Sequence, residues 1–529
     1  MTIPRHFLWS VSVVPGLAIL LAMAGCREPA PMLDGKSEVL EGEYSDELLA
    51  VALENLGRLE QFRSGEMLET IVERLNQWAA TQPPIEWHRD ALLDTLPPQL
   101  AALPVLEELD STRLPRHDGA MLQQAVWLRN IARWARGEKV DELSRAMHLF
   151  DWVVRNTQPD PLEAGSAESG SPALGRFPWE TLLLGHGGVL ERAWVYIELL
   201  RQEGIDAAML GLSPREDSGA GGAWAIGVLI GGEIYLFDPV LGLPVPGPNG
   251  MVRGEDGRPQ IRPATLAEAA ADPAILRRLD LDETTPYPVE PEDLDGVVAL
   301  IVADPSALSR RMKMVESQLV GDQKLVLTVD AAAQGERFAA VPRVTGVRLW
   351  AYPYVTIAQQ AALGDHPELI RARVMEMAPF HVGHDAPLWK GRVLHFKGRF
   401  VGEESATQYY QAARPANSQL DQFAAFFYEA MKAAQPGADD AAIHEAAAQR
   451  AAIERPVFAR GKQDASYWLG LMAYEQGAYD AALDYLAKRT LDASPDGPWT
   501  HGARYNLART YEATGELDKA VSQLASDPM

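Results

Sequence analysis

Gly185-His186-Gly187-Gly188-Val189-Leu190-Glu191-Arg192-Ala193-Trp194, running on as an apolar stretch to Leu200, is the part of this 529-residue chain on which the fold turns. The glycines make a turn. Leu190, Ala193, Trp194, Ile197 and Leu200 then recur at helical spacing, which predicts a central helix from about Val189 to Gln202. Gly204-Ile205-Asp206-Ala207 closes it, and Ala207–Leu212, Ala223–Ile230 and Glu233–Phe237 follow as glycine-bounded apolar runs of strand length. Gly231-Gly232 between the last two is a hairpin signal, and the last run ends Phe237-Asp238-Pro239. The loop Ser213 to Gly222 is expected near the mouth of any cleft.

This order of glycine turn, helix, strands and Asp-Pro resembles the core of the transglutaminase-like (papain-like) fold. The resemblance extends upstream, where Phe150-Asp151-Trp152-Val153 and Asn156 match the end of the family's preceding helix. In that family a Cys opens the central helix, a His precedes Ala-Trp on one strand, and an Asp precedes Pro on the next. Aligned so, the Cys place falls at Val189, the His place at Gly222, and only Asp238 is kept. The resemblance therefore implies the family's scaffold without two of its three catalytic groups. With Gly222 in the His place, Asp238 has nothing there to orient, and an aspartate capping the turn at Pro239 is the better reading.

The N-terminus reads as an export signal. Arg5 and His6 precede an apolar run from Phe7 to Ala24, ending Leu21-Ala22-Met23-Ala24-Gly25-Cys26. That ending resembles a bacterial lipoprotein signal, with small residues before a Cys that would carry lipid and hold the protein at a membrane surface. Cys26 is the sole cysteine, so its acylation would leave neither a free thiol nor a disulfide. Residue Arg27 after it implies the outer membrane, facing the periplasm. The expected order is a signal at 1–26, a Pro- and Gly-rich tether at 27–42, a helical region at 43–115, the degenerate transglutaminase-like domain at 116–262, an α/β accessory region at 263–360 and a helical region at 361–529.

Within these, amphipathic segments cover Met67–Trp78, Arg89–Leu100 and Leu122–Arg136. Gln158 to Pro172 is a Pro-, Gly- and Ser-rich mobile loop, and Leu243–Gly250 is too proline-dense for regular structure. Thr265 caps a helix, and Val297–Val302 and Leu325–Val329 read as strands flanking a helix over Ser306–Leu319. No Gly-x-Gly-x-x-Gly or Walker pattern is present.

Residues 461–529 contain a repeat. Trp468-Leu469-Gly470, Tyr474 and Ala482 compare with Leu507-Ala508, Tyr511 and Ala520 at an offset of 38 from Gly470 to Ala508. Small residues let two helices approach and aromatics fill the gap, which resembles tetratricopeptide repeats. The resemblance implies a helical solenoid, completed by Thr407–Ala413, Leu420–Ala434 and Asp440–Ala452, and a protein partner bound through it.

The fold class expected is α+β: a helical N-terminal region, a core with a small antiparallel sheet, a small α/β region and a C-terminal α-solenoid. A net charge of -25 argues against a nucleic-acid partner, which needs clustered Lys and Arg. His381, His384 and Asp385 with His395 form a His-x-x-His-Asp cluster without a fixed third ligand, so surface histidines are expected and no metal or cofactor. Lys390-Gly391-Arg392 and Lys397-Gly398-Arg399 are locally basic, and a solvated face is their simplest role. Glu191 in a first helical turn is explained by the helix dipole. His186 is the remaining candidate for a cleft imidazole. The leading expectation is a non-catalytic envelope lipoprotein acting as a scaffold. The alternative is a hydrolase, a peptidase or peptidoglycan amidase, rebuilt around His186, Glu191 and Asp238.

Overall fold

The central helix forms where the glycine turn predicts it. Gly185 has φ +76°, a left-handed conformation that ends the preceding helix Pro178–Leu184, and Gly188 caps the next one, Val189–Gln202. The computed structural model describes residues 42–160, 174–212, 222–253 and 259–527. The expected signal, Cys26 and nearly all of the tether lie outside them, as do residues 161–172 of the loop after Gln158 and 213–221 of the loop before Gly222.

We label the helices Gly42–Gly57 (α1), Leu68–Ala79 (α2), His117–Ala135 (α3), Glu142–Asn156 (α4), Pro178–Leu184 (α5) and Val189–Gln202 (α6). Strands Asp206–Gly211 (β1), Ala223–Ile230 (β2), Glu233–Asp238 (β3) and Leu243–Pro244 (β4) run antiparallel to their neighbours. Gly231 and Gly232, at φ +61° and +83°, make the tight turn between β2 and β3. Pro246–Arg253 (β5) and Pro259–Pro263 (β6) form a separate two-stranded ribbon. Val297–Ile301 (β7) and Val344–Leu349 (β8) are parallel, and β7 pairs antiparallel with β1. The six-stranded order is therefore β8-β7-β1-β2-β3-β4.

This order places β7 and β8, from the segment expected as an α/β accessory region, in the same sheet as β1 to β4. One unit, Leu33–Arg58 with Met67–Ala362, contains all of it. On one face of the sheet Phe150 of α4, Tyr196 of α6 and Phe237 of β3 meet with ring centroids 5.0–5.6 Å apart. Leu210, Ile234, Leu236, Ala299 and Ile301 join a core with Leu266, Ile275, Phe338 and Tyr354. Covered strands read as unbroken apolar runs for this reason.

Three local expectations are corrected. Leu325–Val329 is not a strand, because side chains take its backbone groups: Glu316 Oε2 accepts from Leu327 N and Thr328 N, and Gln202 brackets Val326. Leu243–Gly250 does hold strand, since prolines are tolerated on an edge ribbon whose N–H groups need no partner. Arg89–Leu100 is broken into a 3₁₀ turn at Ala91–Thr95 and one helical turn at Pro98–Ala101, because Pro97-Pro98 disfavours helix in the residues before them.

The second unit, Leu59–Glu66 with Leu363–Met529, holds helices joined by turns and no strand among its described residues. Its helices include Pro387–Phe396 (α7), Ala406–Ala412 (α8), Phe423–Ala434 (α9) and Asp440–Glu475 (α10). The helix expected over Asp440–Ala452 continues through Pro456 to Glu475, so that α10 runs 36 residues. Tyr479–Leu483 (α11), Thr500–Thr514 (α12) and Leu517–Ala525 (α13) follow, with Gly477 and Gly515 at positive φ in the two turns. The described chain is thus α+β, with helices around a central sheet and a helix-rich C-terminal region. No helix among the described residues is long and apolar enough to cross a membrane.

Asp118 of α3 and Arg311 of the helix Arg310–Glu316 form a fully buried ion pair in the first unit. Ser306 Oγ donates to Asp118 at 2.7 Å, and Arg311 Nη1 donates to Glu108 O at 2.8 Å. Removing one partner strands a buried charge, so Asp118→Ala should lower unfolding free energy by about 3–5 kcal/mol in urea titrations.

Candidate functional site

The helix α6 is buried along Glu191–Leu200, including three charged residues. Glu191 accepts from the backbone N of Arg176 at 2.8 Å and from that of Gly188, so it caps the helix as well as matching its dipole. Arg192 donates to the carbonyls of Pro239 and Thr157, each at 3.1 Å. Glu198 accepts two bonds from Arg201 at 2.7 Å and one from Trp194 Nε1 at 3.3 Å. These charges hold backbone and neighbouring elements in place.

Asp238, at the position where the resemblance expects the acid, ends β3 and is buried. Its Oδ1 accepts from Val240 N at 2.7 Å and Leu241 N at 2.9 Å, as an aspartate does in capping a turn. Its Oδ2 accepts from the Tyr287 hydroxyl at 2.5 Å, and that hydroxyl in turn accepts from Trp224 Nε1 at 2.7 Å. Burial pushes the Asp238 carboxyl pKa up, against the opposing effect of these donors and of Arg192. The Tyr287 pKa is also raised, by burial and by the carboxylate beside it. A tyrosine, held in Pro286-Tyr287-Pro288, thus engages the acid.

The positions where the resemblance expects the Cys and the His hold Val189 and Gly222. Val189 is half-buried at the first turn of α6, and Gly222 is exposed just before β2. A Cβ built at Gly222 has no heavy atom within 4 Å among the described residues.

His186 has a different partner. Residues Gln158–Pro159 pair in parallel with His186–Gly187, which brings Asp160 alongside. Asp160 Oδ1 lies 2.7 Å from His186 Nδ1, and Arg176 Nη1 donates to Oδ2 at 2.7 Å. Burial acts to raise the Asp160 pKa, but His186 and Arg176 outweigh it and hold the carboxyl at about 2. The structure therefore joins His186, Asp160 and Arg176, with Glu191 reaching the Arg176 backbone, while Asp238 bonds elsewhere. An oriented imidazole is part of a hydrolytic apparatus, but it acts only on a nucleophile within hydrogen-bond reach. Sequence reasoning missed Asp160, Arg176 and Tyr287. Asp160 and Tyr287 both adjoin prolines, and that was their only local signal.

In the second unit His381 and His384 are exposed, whereas His395 is buried, its Nδ1 lying 3.2 Å from the Tyr410 hydroxyl. Among the described residues no group of three or more His, Cys, Asp or Glu is placed to hold a metal ion. The expected basic face is also corrected. Arg392 is buried over the Phe396 and Trp468 rings at 4.8 and 4.4 Å, Lys390 pairs with Asp385 at 2.6 Å, and Lys397 pairs with Glu60 at 2.5 Å. Their charge is used internally.

The repeat positions pack as follows. Trp468 is buried, with ring centroids 5.6–6.0 Å from those of Phe380, Tyr410 and Trp499. A Cβ on Gly470 would come 2.8 Å from Leu486. Leu469, Ala482, Leu507, Ala508 and Ala520 are buried. Tyr474 packs on Tyr479 at 5.6 Å, and Lys519 lies over Tyr511 at 5.3 Å.

No family model matches this chain, no curated protein matches it, and no solved structure matches it.

Two measurements check this geometry. Tyr287→Phe removes the donor to Asp238 and the acceptor for Trp224, and should cost about 1–3 kcal/mol in denaturant titrations. Because the folded-state pKa of Asp160 is depressed, its stabilisation is complete above the ordinary carboxylate value and is lost as pH falls toward about 2. His186→Gln removes one source of that depression, so acid unfolding followed by circular dichroism should shift to higher pH.

Proposed function

We propose that this chain is a non-catalytic lipoprotein of the cell envelope. In this reading it is held at the outer membrane through lipid on Cys26, its transglutaminase-like domain serves as a scaffold, and its C-terminal tetratricopeptide-like helices bind a protein partner. One observation carries the non-catalytic part. The Asp238 carboxylate is spent on Tyr287 and on two backbone N–H groups, with valine and glycine at the other two triad positions. An orienting acid works through an imidazole, and here a phenol takes that bond.

The repeat reading is supported by paired helices about Gly477 and Gly515, which are 38 residues apart, the offset that separates Gly470 from Ala508. Close helix approach at Gly470 is what a helical hairpin of this kind requires. The lipid anchor rests on the residues Leu21–Cys26 alone.

A second reading, an envelope hydrolase, is favoured by the 2.7 Å contact between Asp160 and His186. The two readings separate in one experiment on the purified protein, with peptide and peptidoglycan substrates. The scaffold reading expects turnover equal to the protein-free blank in the native chain, His186→Ala and Asp238→Asn alike. Turnover that collapses in His186→Ala would establish the hydrolase instead. Fatty-acid labelling in a bacterial host should mark the chain and vanish in Cys26→Ala. Removal of residues 461–529 should abolish partner recovery by the anchored protein, and an unchanged partner list would refute the repeat assignment.

A further inference from the structure

The helix-rich unit contains a cavity of about 370 Å³ whose lining carries Arg414, Lys462, Lys488 and Arg489 and no carboxylate, in a chain of net charge -25. Gathering four cations is unfavourable unless something answers them. Arg414 donates Nε to the Ser466 hydroxyl at 2.9 Å and lies 5.4 Å from the centre of the Tyr485 ring. Lys462 Nζ donates to Asn417 Oδ1 at 2.6 Å. Neutral oxygens and a ring face position these two groups without cancelling their charge. Asp484, whose field reaches Arg414, is itself engaged by Arg489 at 2.6 Å and Lys488 at 3.3 Å. Burial lowers the pKa of both Arg414 and Lys462, with Arg489 adding to the effect at Arg414 and Arg414 adding to it at Lys462.

The backbone supplies an independent sign. Asp484–Leu491 is π-helical, with Asp492 N bonded to Ala487 O at 2.8 Å. Such widened turns give up hydrogen-bond geometry and recur at functional sites. This one brings Lys488 and Arg489 to the cavity wall, and Leu420 and Trp499 supply an apolar part of the lining.

We propose that this cavity binds a small organic oxyanion, a phosphate or a pair of carboxylates on a short carbon body. Four cations with one engaged acid call for at least a doubly charged ligand. The volume and the apolar wall leave room for carbon beside the charged head. The assignment goes beyond the scaffold reading and does not depend on it, since an anion site serves a scaffold or an enzyme equally.

Calorimetric titration of the full chain with glycerol 3-phosphate and with succinate tests it. Saturable binding of either is expected, and which one binds decides between phosphate and carboxylate. Arg414→Gln and Lys462→Gln should each weaken binding by about tenfold or more, as loss of a charge-assisted hydrogen bond does. Added salt should weaken it further. Lys488→Gln alters a side chain that is 74 % exposed, so it removes charge without disturbing packing and should also weaken binding. Lys313→Gln, in the other unit, should leave it unchanged. Absence of saturable binding with both probes, or binding that survives all three cavity substitutions, would overturn the proposal.

Discussion

A buried helix cannot leave its charges unanswered, and α6 buries three of its four. Removing a carboxylate or guanidinium from water costs several kcal/mol unless hydrogen bonds replace the lost solvation. Glu191 meets that cost at the N-terminal end by accepting from Arg176 N and Gly188 N, Arg192 by bonding the carbonyls of Thr157 and Pro239, and Glu198 through Arg201 and Trp194. Each answer fixes another part of the chain. The end of α4, the turn after β3 and the approach to α5 are all set by charges on one helix.

That arrangement governs what chemistry the surroundings can hold. The turn tied down by Arg192 is the one whose aspartate reaches Tyr287, a residue contributed by the segment that also completes the sheet. A short bond from a phenol leaves Asp238 structural. At the opposite side of the glycine turn, Asp160 orients His186 but shares its carboxylate with Arg176. Of the two acids, Asp160 meets an imidazole and Asp238 meets a phenol. The scaffold reading rests on the engagement of Asp238, and the cationic cavity of the other unit is independent of it.

Glycine and the apolar period made much of the fold legible in the sequence. Val189–Gln202, Ala223–Ile230 and the turn at Gly231-Gly232 lie where those signals put them. Thr265 caps its helix by accepting from Glu268 N, again a local rule. Failures came where side chains from distant segments decide. Leu325–Val329 has strand composition, but Glu316 and Gln202 occupy its backbone groups. Nothing local announces that Tyr287 meets Asp238, 49 residues away, or that Arg414 meets Ser466, 52 residues away. The pattern Lys390-Gly391-Arg392 looked solvated because charge pattern does not reveal that Arg392 is enclosed by Phe396 and Trp468.

Asp238, engaged by Tyr287 and two backbone N–H groups, is not free to support an imidazole placed at position 222. Placing a thiol at position 189 and an imidazole at position 222 tests this directly. In a Cys26→Ala background, the alkylation rate of Val189→Cys is measured against pH, alone and combined with Gly222→His. If Tyr287 holds Asp238, both proteins share one inflection near the ordinary thiol value of about 8.5, or equally below it through the helix terminus. An inflection that falls by a unit or more only when the histidine is added, and returns when Asp238→Asn is added as well, would show that Asp238 supports a thiolate–imidazolium pair, and would contradict the account.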